Sequence, residues 1–188
     1  MRRLARNTLA ALAFCGALAS LPQLSAAAPN CTSDADYLVV EVPHKDDAGN
    51  SYIVRDKAAH PKAACSTKAA KGDYVIGGAD DAFYLLKLVG STLLIDSGTG
   101  PDRALKIYDL KTRKLVYSGG YDSDTIAIDA AGASFWTPSG AAATAANCPD
   151  LAQIEKDGLT PVIDVKARFD FAGNTLEKSS ETHCRATQ

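Results

Sequence analysis

Asp96 is the residue whose setting best suits chemistry. It closes the apolar run Leu93-Leu94-Ile95 and is followed by Ser97, Gly98 and Thr99, residue types that build a tight turn and present a carboxylate from it. Acid–base catalysis by a carboxylate pair needs a second such group close by, because two adjacent carboxylates cannot both ionise and so share a proton. The chain has one Asp-Ser-Gly-Thr turn, so catalysis would require a dimer. The simpler reading is a strand ending in an Asx-type turn, with Asp96 bonded to its own backbone or to Arg103.

Other reactive residue types are dispersed. His44, His60 and His183 lie far apart in the sequence, and His183 sits beside a cysteine expected to be oxidised, so no zinc site is expected. Asp46-Asp47-Ala48-Gly49-Asn50 and Tyr121-Asp122-Ser123-Asp124 are rich in oxygen, but neither has the spacing of an EF-hand calcium loop. There is no G-x-S-x-G nucleophile elbow and no phosphate-binding glycine loop. No metal or cofactor is expected.

These residues must be held by an exported domain. Arg2, Arg3 and Arg6 precede an apolar run from Leu9 to Leu21, and the small residues Ser25 to Ala28 follow. This is the pattern of a cleavable signal peptide, and the run is too short to span a bilayer. Cleavage after Ala27 leaves residues 28–188 as one domain. It removes three arginines and no acid, which moves the formal charge from −2 to about −5. An acidic chain does not fit a general nucleic-acid binder, and Lys57, Lys62, Lys68 and Lys71 read as a solvated loop, with no aromatic among them to stack a base. The Ala-rich leader points to a bacterial periplasmic or secreted protein without a membrane span.

Four cysteines remain after cleavage, Cys31, Cys65, Cys148 and Cys184. An even number in an exported domain implies disulfides, with three possible connectivities. Their grouping favours Cys31–Cys65 and Cys148–Cys184, each worth roughly 3–4 kcal/mol in the chain-entropy model.

The intervening segments are short and rich in β-branched residues. Strands are expected at Tyr37–Val42, Ser51–Arg55, Asp73–Gly77, Phe83–Val89 and Thr92–Asp96, the last two joined by a Gly90-Ser91 hairpin loop. Further strands follow at Leu105–Leu110, Leu115–Ser118, Thr125–Asp129, Ser134–Thr137 and Val162–Phe171, with a last strand running to Cys184. Asp56–Gly72 reads as an irregular loop. One short helix is expected at Pro149–Asp157, with Asn147 as its cap and Gly158 beyond its end. The fold class is therefore all-β: an antiparallel sandwich or partly closed barrel of about nine to eleven strands, one helix and two disulfides.

Four resemblances bear on fold and function. LLIDSGTG is similar to the active-site turn of pepsin-like and retroviral-type aspartic proteases, which would make Asp96 the catalytic carboxylate, supported by Ser97, Gly98 and Thr99. The apolar-apolar-Gly segment that should follow it lies upstream instead, at Val75-Ile76-Gly77. Ser118-Gly119-Gly120-Tyr121 is similar to the Ser-Gly…Tyr loops of bacterial lysozyme inhibitors. LKIYDLKTRKLVYSGGY resembles the outer strands of a β-propeller blade. The longer run LLIDSGTGPDRALKIYDLKTRKLVYSGGY, with Trp136 and the Cys148-Pro149 helix, resembles a group of small exported bacterial proteins, a likeness that implies no activity.

Tyr108, Tyr117, Tyr121, Phe135 and Trp136 concentrate the aromatics. Facing outward, they would form a binding surface. The simpler and preferred reading pairs Tyr108 with Tyr117 across their hairpin and buries Trp136 in the core. The reading favoured by the sequence is a non-enzymatic binding or inhibitory module for an unidentified protein partner, such as a cell-wall hydrolase, with Ser118, Gly119, Gly120, Tyr121 and Trp136 as contact residues. The rival is a dimeric aspartic protease built on Asp96.

Overall fold

A computed structural model describes residues 28–188; the expected signal peptide lies outside them. The class is all-β and antiparallel, with the twelve described strands arranged as three four-stranded sheets, none of them closed. The first sheet holds β1 (Cys31–Ser33), β2 (Tyr37–Pro43), β3 (Asn50–Asp56) and β4 (Tyr74–Ile76), paired in sequence order. The second holds β5 (Phe83–Val89), β6 (Thr92–Ser97), β7 (Arg103–Asp109) and β8 (Lys114–Tyr121). The third holds β9 (Ala127–Ile128), β10 (Gly132–Pro138), β11 (Thr160–Asp170) and β12 (Thr175–Thr187).

Alternation along the strands decides how these sheets stack, since successive side chains point to opposite faces. In β6, Leu93 and Ile95 join Tyr37, Val39, Tyr52 and Val54 of the first sheet in one core. Leu94 points the other way and joins Leu105, Ile107, Phe135 and Phe169 in a second core against the third sheet. The second sheet is thus the middle layer, with its strand β6 buried on both faces. That explains why Thr92 to Asp96 is buried at every position rather than at every other one. A third cluster, Leu38, Val40 and Ile53, lies on the opposite face of the first sheet, with Ala63 of the 57–72 loop packed on it.

Turn chemistry matches the sequence in most places. Gly90 has φ +54 in the loop joining Val89 to Thr92, the sign a two-residue hairpin loop needs. Asp109 accepts the Lys111 and Thr112 amides at 2.9 and 3.4 Å, closing the turn to β8. The expected strand at Thr125–Asp129 shrinks to β9, because Thr125 is drawn into a turn on Asp122.

The helix α1 spans Leu151–Lys156, shorter than expected. Asn147 does not cap it. Its side-chain oxygen accepts the Thr144 amide at 2.7 Å and so closes the preceding turn. Gly158, with φ +74, ends the helix as expected. Both expected disulfides are formed, Cys31–Cys65 and Cys148–Cys184. The second ties the segment just before α1 to β12, in a small core where Ile154 of α1 packs with Ile163 of β11.

Candidate functional site

Asp96 lies inside β6, opposite Tyr84 on one side and Leu105 on the other, rather than at the apex of a turn. Arg103, at the start of β7, grips the carboxylate with both arms: Nε donates to one oxygen at 3.0 Å and Nη2 to the other. The side chains are 11 % and 19 % exposed. The pairing holds the Arg103 guanidinium above its ordinary pKa. Arg103 also lies 5.3 Å from the Tyr84 ring centre. Tyr121 is 1 % exposed, and burial, followed by the Asp96 charge, raises its phenol above the ordinary range. Ser97 is the last residue of β6, Gly98 turns with φ +119 and donates to the Ala82 carbonyl, and Thr99 is exposed. The arrangement is an ion pair that fastens β6 to β7, with each carboxylate oxygen accepting from Arg103.

Ser118, Gly119, Gly120 and Tyr121 are strand residues of β8, not a protruding loop. A Cβ on Gly119 would sit 2.6 Å from the Tyr117 hydroxyl, so the glycine makes room for that ring. Thr137 donates to the Gly120 carbonyl at 2.8 Å, and the Asp122 amide donates to the Trp136 carbonyl at 2.9 Å. This corner therefore joins the second sheet to the third. Tyr121 packs edge-on against Phe135 at 6.2 Å and is unavailable to a partner.

The aromatics divide between faces. A bulge between Ile107 and Tyr108 sets Ile107 opposite Tyr117 and Tyr108 opposite Leu115. Tyr108 faces the first sheet, while Tyr117 faces the third and packs 5.6 Å from both Phe135 and Phe169. The two tyrosines do not pair.

Trp136 is not in the core. Alternation along β10 buries Ala133, Phe135 and Thr137 and leaves Ser134 and Trp136 half-buried on the other face. The indole packs against the His183 ring, tilted by 53° with centres 4.1 Å apart, and the Lys166 ammonium lies 5.9 Å from its centre. Lys166 pairs with Glu181 at 3.0 Å. Behind His183, the wholly buried Asp164 takes Arg185 Nε at 2.7 Å, with His183 Nε2 at 3.6 Å from the same oxygen. The other Asp164 oxygen is buried without a hydrogen-bond partner. Glu181, Lys166, Trp136, His183, Asp164 and Arg185 thus form one line across β10, β11 and β12.

Of the residues singled out in the sequence, the structure brings Trp136 and His183 to this face. Lys166, Glu181 and Arg185 were missed. The signal for Lys166 is the alternation in Ile163–Asp170, which places charges opposite the apolar positions; Glu177–Arg185 carries no such pattern. Among the described residues, no group of three or more His, Cys, Asp or Glu side chains converges to hold a metal, and no helix is long and apolar enough to cross a membrane. No family model matches this chain, nor does any curated protein or solved structure.

Proposed function

We propose that the protein is an exported, non-enzymatic binding module that recognises a protein partner through the outer face of its third sheet. The carrying observation is Trp136. It is the only tryptophan in the chain, and it is held half-exposed between His183 and Lys166 instead of being buried. A pre-set indole among paired charges suits recognition, because Trp offers a large rigid contact at little entropic cost. Two disulfides fit an oxidising compartment such as the periplasm. An inhibitor of a cell-wall hydrolase is one form such a module would take. The Asp96–Arg103 pair weighs against the aspartic protease, whose carboxylate must be free to act.

The test uses the mature, disulfide-intact protein as bait in periplasmic extract, beside Trp136→Ala and Lys166→Glu. The reading expects one partner, retained by the unaltered bait and lost from both variants. Cleavage of denatured protein at acidic pH, abolished by Asp96→Asn, would instead support the protease.

A further inference from the structure

A cavity of about 520 Å³ opens between the end of β3 and the 57–73 segment, within the ~300–1,000 Å³ typical of small-molecule sites. Its floor is Arg55, which is 4 % exposed. The guanidinium donates to Asp73 at 2.9 Å and to the carbonyls of Ala64, Ser66 (2.8 Å) and Lys68 (2.7 Å). Three carbonyls at alternate residues thus converge on one cation, which folds the segment into an arch. The Cys31–Cys65 disulfide pins its crown.

The walls are small and apolar. Ala59, Ala63, Ala64 and Ala70 line the space with Pro61, and larger side chains in their places would fill it. A Cβ on Gly72 would sit 2.9 Å from His60 Nε2, so the glycine leaves room for the His60 ring at the wall.

The charge is one-sided. Lys62, Lys68 and His60 line the opening, and no ion pair among the described residues uses any of them. The one acid in the lining, Asp73, has a side chain only 1 % exposed and already bonded to Arg55. A cationic ligand would therefore meet no counter-charge, and a neutral one would leave two ammonium groups unused.

We propose that this cavity binds a small organic anion, its apolar body against the alanine walls and its negative group between Lys62 and Lys68. Arg55 shapes the site without contacting the anion, since its donors are directed into the arch. The site is separate from the Trp136 face and does not depend on it.

The test is a fluorescence titration of the mature, disulfide-intact protein with anilinonaphthalene sulfonate, an aromatic body carrying one anion. Saturable one-site binding is expected. Ala70→Leu, which fills the cavity, should weaken it by about tenfold or more. Lys62→Gln with Lys68→Gln should weaken it roughly tenfold, and neutral phenylnaphthylamine should bind less tightly than the sulfonate. Matching thermal midpoints for variants and parent establish that each remains folded. No saturable binding, or binding untouched by Ala70→Leu in a folded variant, overturns the proposal. Equal binding of the neutral probe overturns its anionic part.

Discussion

Four aspartates are each bonded to an arginine; Asp129 to Arg168 is exposed, and the other three are largely buried, one in each layer: Asp73 to Arg55, Asp96 to Arg103 and Asp164 to Arg185. Removing one partner of a buried pair leaves an uncompensated charge, which is why such single losses are costly. Arg103→Ala is therefore expected to lower unfolding free energy by about 3 kcal/mol, and Asp96→Ala combined with it to cost less than the two single changes summed. Denaturant titrations in a double-mutant cycle measure this. The exposed Lys166–Glu181 pair differs, since solvent screens it and it adds little to stability. Asp73 carries a pH dependence. Burial alone would raise its pKa, but the Ala70 amide and Arg55 outweigh that and hold it below the usual 3.8. A folded value below the unfolded one gives stability that is complete above about pH 4 and lost as pH falls through the folded value. Melting temperatures should drop below about pH 4, and the drop should be shallower in Asp73→Asn.

At the scale of elements, close approach of strands sets the tolerances. A Cβ on Gly132 would stand 2.4 Å from the Phe169 carbonyl oxygen, because β10 and β11 meet there without a side chain between them. Gly132→Ala should destabilise by about 1–3 kcal/mol, read as a lower denaturation midpoint. Most strands and the Gly90-Ser91 hairpin turn were legible in the sequence, since short runs rich in apolar residues between Gly, Pro and Asp leave few alternatives. Which face each strand buries was less so. Phe135 and Trp136 are equally apolar as letters, and only the register, Phe135 opposite Ala167 and Trp136 opposite Lys166, sends one inward and the other out. The Tyr108–Tyr117 pair failed for a related reason, since a bulge is a single extra residue with no signature in composition. Arg55 was hidden because its partners are backbone carbonyls of a loop whose sequence, alanine and lysine, suggests only solvation.

At the scale of the molecule, the central sheet couples the other two. Leu93 and Ile95 face one neighbour and Leu94 the other, and Thr187 at the end of β12 donates to Asp102 in the loop between β6 and β7 at 2.7 Å. Unfolding should be a single transition, with Trp136 fluorescence, which reports the third sheet, superposing on far-ultraviolet circular dichroism. Layers unfolding separately would split the curves. The three four-stranded sheets repeat in space without repeating in sequence, because the loops between strands differ in length and only the alternation is shared. The Asp-Ser-Gly-Thr turn likewise could be read two ways from its letters. Arg103, seven residues on, is the partner that Asp96 takes in the fold, and that depends on the β6–β7 register.

The claim that recognition belongs to the outer face of the third sheet is best tested through its one indole. Protein grown on fluorotryptophan gives a single fluorine resonance, since Trp136 is the only tryptophan. Adding the captured partner should shift or broaden that resonance saturably, and Lys166→Glu should weaken the effect. A partner that binds to saturation and leaves the resonance unmoved would contradict the account.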